Sequence, residues 1–163
     1  MAALGGSATA KAADGCKLLS TEELELTFER PFAAGKSVAG GACEFRRHSR
    51  AANLDMVVVR VLAEKYASVA KARNAFERAK DLITELALDA TPVDGIGDQA
   101  FKSYLIGADE LTVRTGKTIV EIRVDNPDDE AARYGDVIAA LGGAAAAHVS
   151  VPVVTTTTTT QAR

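Results

Sequence analysis

The amino-acid sequence predicts an α+β domain, an antiparallel sheet of about five strands packed with helices in the order α-β-β-α-β-β-β-α. Three observations carry this: a helix-start signature at Ser20, an apolar stripe in steps of three and four over 69–86, and three short alternating runs between 99 and 124.

The first element opens with Leu18-Leu19-Ser20-Thr21-Glu22-Glu23-Leu24. Ser20 can cap a helix, Glu23 can return the bond to the cap amide, and Leu19 and Leu24 occupy the two staple positions. That helix should run to about Glu29, because Pro31 disfavours its continuation. Cys43-Glu44-Phe45-Arg46 then alternates as a half-buried strand, and Leu54 to Leu62 reads as a second. In this second strand Leu54, Met56, Val58 and Leu62 point one way and Val57, Val59 and Val61 the other. Both parities are apolar, so the strand should be central and covered on both faces.

Ser68 caps a long helix whose apolar positions Val69, Ala72, Phe76, Ala79, Ile83 and Leu86 form one narrow seam facing a sheet. Gln99 to Ile106, Glu110 to Thr115 and Thr118 to Val124 follow as strands. Gly107-Ala108-Asp109 connects the first pair, and the two-residue turn Gly116-Lys117 connects the second. Asn126-Pro127-Asp128-Asp129-Glu130 is a helix start, with Asn as cap, Pro at the first position and acids facing the positive end of the dipole. The last helix uses Tyr134, Val137, Ile138 and Leu141, and Gly142-Gly143 should end it.

With 163 residues the chain suffices for one domain, which buries roughly two thirds of its unfolded surface without needing a metal. The folded unit should span 14–150. Residues 1–13 read as a flexible tail or clipped leader, since Ala8-Thr9-Ala10 matches the end of a secretory signal but no apolar core precedes it. Residues 151–163, with six consecutive threonines, read as a disordered tail. The 19 basic residues are scattered among 22 acidic ones, which argues against a nucleic-acid partner. No run of 18 apolar residues is available for a transmembrane segment.

Catalytic signatures are thin. Gly95-Ile96-Gly97-Asp98-Gln99-Ala100 has the letters of a dinucleotide fingerprint but follows a loop and opens a strand, the reverse of what a cofactor site needs. No cofactor is expected. His48 and His148 lack a second ligand at metal spacing, so no metal is expected either. No G-x-S-x-G occurs, and Asp128, Asp129 and Glu130 read as helix-dipole acids, so the chain reads as no enzyme. Arg46, Arg47 and Arg50 form a basic cluster that could contact an anion, or simply a solvated strand end. Cys16 and Cys43 lie beside the first helix and inside the first strand. They are either joined as one bridge, which suits an oxidising compartment, or are two buried thiols of a cytosolic domain.

The order Cys16-Lys17-Leu18-Leu19-Ser20-Thr21-Glu22-Glu23, then Cys43-Glu44-Phe45, then Val93-Asp94-Gly95-Ile96-Gly97-Asp98-Gln99-Ala100-Phe101, resembles small actinobacterial cell-envelope proteins, many of them lipoproteins. It is also similar to PsbP-like lipoproteins and to extracellular sensor domains of bacterial serine/threonine kinases. The resemblance covers about 16–141 and implies a Cys16–Cys43 disulfide and a role outside the membrane, with no catalytic residue. The chain departs from the lipoprotein pattern at Ala13-Asp14-Gly15, which lacks the aliphatic and small residues expected before a lipidated cysteine.

The functional expectation is a noncatalytic extracytoplasmic binding or sensor-like module, holding a small-molecule, lipid, glycan or protein ligand between the sheet and a helix. Lys102, Tyr104, Arg114, Glu121 and Arg123 are expected to share one outward parity and form the binding surface. The alternative is a cytosolic assembly domain acting through oligomerisation, with its sheet or helix seam completed by another chain.

Overall fold

A short strand, β1 (Lys11–Ala13), opens the chain and leads into a 3-10 turn at Gly15–Lys17. The computed structural model describes residues 10–47, 56–86, 88–105, 107–126 and 134–150. Helix α1 (Thr21–Phe28) begins at the expected capping box. The Glu23 amide donates to Ser20 Oγ (3.1 Å) and the Ser20 amide to Glu23 Oε2 (2.7 Å). Leu19 and Leu24, the staple pair, are both buried in the main core. The helix ends at Glu29, whose left-handed backbone (φ 54°) turns the chain before Pro31.

Strands β2 (Lys36–Ser37), β3 (Cys43–Arg46) and β4 (Val58–Lys65) follow, then α2 (Val69–Glu85) behind its Ser68 cap. After it come β5 (Thr91–Pro92), β6 (Gln99–Leu105), β7 (Ala108–Thr115), β8 (Thr118–Asp125) and α3 (Gly135–Ser150). Every pairing is antiparallel, in the order β2-β3-β4-β8-β7-β6-β5, with β1 joined to β4. The expectation of about five strands is therefore corrected to eight, in the order β-α-β-β-β-α-β-β-β-β-α. The three additions, β1, β2 and β5, are two or three residues long, too short to show a period of two. β1 also lies inside the stretch expected as a tail.

β4 is central, as its two apolar parities require. β8 covers one edge over its whole length, while β3 and β1 share the other end to end. The Cys16–Cys43 disulfide joins the turn after β1 to the first residue of β3, with the Cα atoms 4.9 Å apart. Residues 54 and 55, expected as the start of this strand, lie outside the described residues, as do 127–133 of the expected helix start and the threonine run.

Helices α1 and α3 pack on one face of the sheet. Leu24, Ile138, Leu141 and Ala145 meet Phe45, Val59, Val61, Leu111, Val113, Val120 and Ile122 there in the larger core. α2 packs on the opposite face, where Phe76 meets Phe101 edge to face (ring centroids 5.2 Å) beside Ile119, Ala79 and Ile83. The two ends of the expected α2 seam, Val69 and Leu86, remain 41% and 56% exposed. The expected helix stop at Gly142-Gly143 is also corrected, because α3 continues to Ser150. Gly142 serves close packing instead: a side chain there would meet Leu111 Cδ2. The alanines after it are the strongest helix formers.

Candidate functional site

α2 is a single helix laid across a sheet of many strands, and it covers only part of its face. Beside it lies an open cavity of ≈ 360 Å³, walled by Ala79, Leu82 and Ile83 of α2 and floored by the sheet. The antiparallel register determines the floor, because directly paired residues project from the same face. One cross-strand row is Phe101–Thr112–Glu121–Leu62, and the next is Ser103–Glu110–Arg123–Arg60–Glu44. The first row lies under the apolar wall. The second carries almost all of the charge.

The charges of the second row are tied to one another and to Asp125. Arg123 Nη1 donates to Glu110 Oε1 (2.6 Å), and its Nε lies 3.5 Å from Asp125 Oδ2. Arg60 donates to Glu44 Oε2 (2.8 Å) and to Asp125 Oδ2 (3.2 Å). Asp125 thus bridges two arginines that the register sets side by side. Glu44 also accepts from Arg46 Nε (2.7 Å), and Arg46, against opposing desolvation and with help from Arg60, holds its carboxyl below the usual range.

Glu121 differs from these. Its carboxylate makes no hydrogen bond or ion pair among the described residues. Solvent reaches it from the open mouth, but it lies on the floor of a recess, and desolvation by the surrounding protein pushes its pKa up. Glu64 and then Glu110 add to the shift by repulsion. A carboxyl whose folded pKa lies above its unfolded value loses stability as pH rises through that folded value. Glu121→Gln is accordingly expected to raise the unfolding midpoint at pH 7. The gain should shrink to nothing below the ordinary carboxylate value, as thermal unfolding of the two proteins at pH 4 and pH 7 would show.

The register divides the surface expected from the sequence. Arg114, Glu121 and Arg123 lie on the α2 face, but Lys102 and Tyr104 pair with Leu111 and Asp109 and project toward the α3 face. The cause is turn length. A three-residue connection at 107–109 would set Lys102 opposite Arg114, whereas the observed pair Leu105↔Ala108 sets Gln99 there. Arg114 is not a surface group either. It is 4% exposed and donates to Gln99 Oε1 (2.8 Å), Asp98 Oδ2 (2.8 Å) and the Gly116 carbonyl (3.2 Å).

The same contacts explain the glycine-rich letters at 95–100. Gly95 and Gly97 have positive φ (78° and 58°), and they deliver Asp98 to the β7–β8 turn, where it also accepts from the Gly116 amide (2.8 Å). This segment is a structural clasp leading into β6. Of the basic cluster, Arg46 is exposed and paired with Glu44, and Arg47 is half-buried, its amide bonded to the Val57 carbonyl (2.9 Å). Arg50 and His48 lie outside the described residues. His148 meets Glu23 Oε1 (2.8 Å), linking the end of α3 to the start of α1.

Sequence reasoning missed Arg60, Glu110 and the wall residue Leu82. A signal was present, since Arg60 interrupts a stretch that is otherwise apolar from Met56 to Ala63. No group of three metal-ligating side chains occurs among the described residues. None of their helices is long and apolar enough to cross a membrane.

Fold and site together define a class: a disulfide-linked α+β domain with an open antiparallel sheet and a cavity under a single helix. No known family, characterised protein or solved structure matches the chain.

Proposed function

We propose that this chain is a noncatalytic binding module of the extracytoplasmic space, which holds a small, largely apolar ligand between α2 and the sheet. The cavity is the observation that carries this reading. At ≈ 360 Å³ it falls within the roughly 300–1,000 Å³ range of small-molecule clefts. Its wall is aliphatic and its polar groups are concentrated along one row of the floor, the division that lets a cleft bury an apolar body and orient a polar end. The ion pairs of the floor suit a fixed surface for holding a ligand. Leu82, 55% exposed at the cavity wall, is an apolar group that an occupant would cover. The disulfide supports a compartment outside the cytoplasm, where such bonds persist. It weighs against the cytosolic assembly domain.

Titration with the neutral apolar fluorophore N-phenyl-1-naphthylamine tests the reading. Saturable, one-to-one enhancement is expected, and Ala79→Phe, which places a ring in the cavity, should weaken it about tenfold or more, a loss near 1.4 kcal/mol. Thermal unfolding of the variant shows whether it is folded. Enhancement that fails to saturate, or that is equal in a folded Ala79→Phe protein, would sink the proposal.

A further inference from the structure

The cavity has walls of one character and a floor that is locally unbalanced. Each arginine on the floor is engaged by two carboxylates, Arg60 by Glu44 and Asp125 and Arg123 by Glu110 and Asp125. Both guanidinium charges are already countered by carboxylates, which disfavours an anionic ligand there. Glu64, the nearest acid along β4, already accepts from Tyr66 Oη (2.7 Å). Glu121 stands between Leu62 and Thr112 on the neighbouring strands, directly beneath the aliphatic wall, with no donor among the described residues. The three α2 residues lining the cavity, Ala79, Leu82 and Ile83, bring no charge to meet it. Glu121 is exposed to the mouth of the cavity and has no counter-charge among the described residues, so an occupant carrying a cationic donor would meet its charge there.

Resting on the binding reading above, we infer that the ligand is an amphipathic cation, with its apolar body against Leu82 and Ile83 and an ammonium-type head on the Glu121 carboxylate. The charge complementarity is specific to this one position. A fatty acid or other anionic amphiphile would put its head beside Glu121 and would have to compete for the arginines with the carboxylates that already hold them. A neutral alcohol could donate one hydrogen bond to the carboxylate but would leave its negative charge without a counter-charge.

Calorimetric titration of the full chain at pH 7.5 with octylamine, 1-octanol and octanoate, all below their aggregation concentrations, tests the inference. Octylamine should bind about tenfold more tightly than octanol, because only the ammonium brings a counter-charge to the carboxylate, and octanoate should be weakest. Glu121→Gln should abolish the preference for octylamine over octanol. In the wild-type protein the preference for the amine should fall as the pH is lowered and Glu121 takes up its proton. This measurement stands even if the variant fails to fold. Equal binding of amine and alcohol, tightest binding of octanoate, or an amine preference that survives in a folded Glu121→Gln protein would overturn the inference and leave the cavity intact. Failure of all three octyl compounds with retained N-phenyl-1-naphthylamine binding would overturn it as well. Failure of the fluorophore too would remove the binding reading itself.

Discussion

Opening the Cys16–Cys43 disulfide is expected to cost roughly 3–4 kcal/mol, the chain-entropy value for a loop of about 28 residues. The placement of the bond makes the loss structural as well as entropic. It ties the turn after β1 to the first residue of β3, and these two strands share one edge of β4. Gly15, buried beside the bond, has no room for a side chain, because a Cβ there would meet the Val61 carbonyl and lie 3.0 Å from the Cys43 amide. Without the bond, the three residues of β1 are held by their pairing with β4 and by the packing of Ala13 on the core. Cys43 is fully buried, so the fitting replacement there is alanine, which brings no hydroxyl into the core. Urea unfolding of the Cys16→Ser, Cys43→Ala protein, and of the wild-type protein with and without reductant, should show a lowered midpoint in both cases. Amide exchange should rise first at 11–13 and 63–65. Coincident oxidised and reduced midpoints would refute a stabilising role for the bond.

Adding one methyl group to α3 should have opposite effects at two adjacent residues. Gly142→Ala places a Cβ against Leu111 Cδ2 and 3.5 Å from Val113 Cγ2, and both of those side chains are fully buried. Overpacking of this kind costs roughly 1–3 kcal/mol, more than the gain of about 1 kcal/mol in helix propensity. Gly143→Ala meets open space, so only the propensity gain applies, and about 0.5–1 kcal/mol of stabilisation is expected. Denaturant midpoints of the two variants would decide the matter. If both variants were stabilised, α3 would not depend on a glycine to reach the sheet.

These two glycines also show where the sequence is ambiguous. A Gly-Gly pair late in a helix reads as a stop, because glycine favours the left-handed conformation that ends helices. The alternative use, close approach of a helix to a sheet, depends on residues some thirty positions away that no local window contains. The capping box at Ser20 and Glu23 is the opposite case. Both partners lie within one turn, and the structure has the two bonds that the residue types imply. The turn at Gly116-Lys117 was equally legible, with Thr115 opposite Thr118.

The candidate site was legible only in outline. A cleft between a helix and the sheet was expected, and one is present, but its floor differs from the expected surface. A single residue of difference in the β6–β7 connection exchanges the two faces of β6, and it moved Lys102 and Tyr104 away from Glu121 and Arg123. The isolation of Glu121 is a property of the whole floor. It arises because Asp125, Glu44 and Glu110 are all occupied by arginines.

By itself the sequence determined the N-caps of α1 and α2, the long strands, the tight turn and the α+β class, because each is set by residues within a few positions of one another. Only the tertiary structure decided the eight-stranded pairing, the continuation of α3 past its glycines, the disulfide joining the turn after β1 to β3, and which charges were left over in the cavity. The physical reason is the same for all four. Register, close packing and ion pairing are relations between distant segments, and they become definite only when the chain has chosen which backbone edge and which side chain each segment meets.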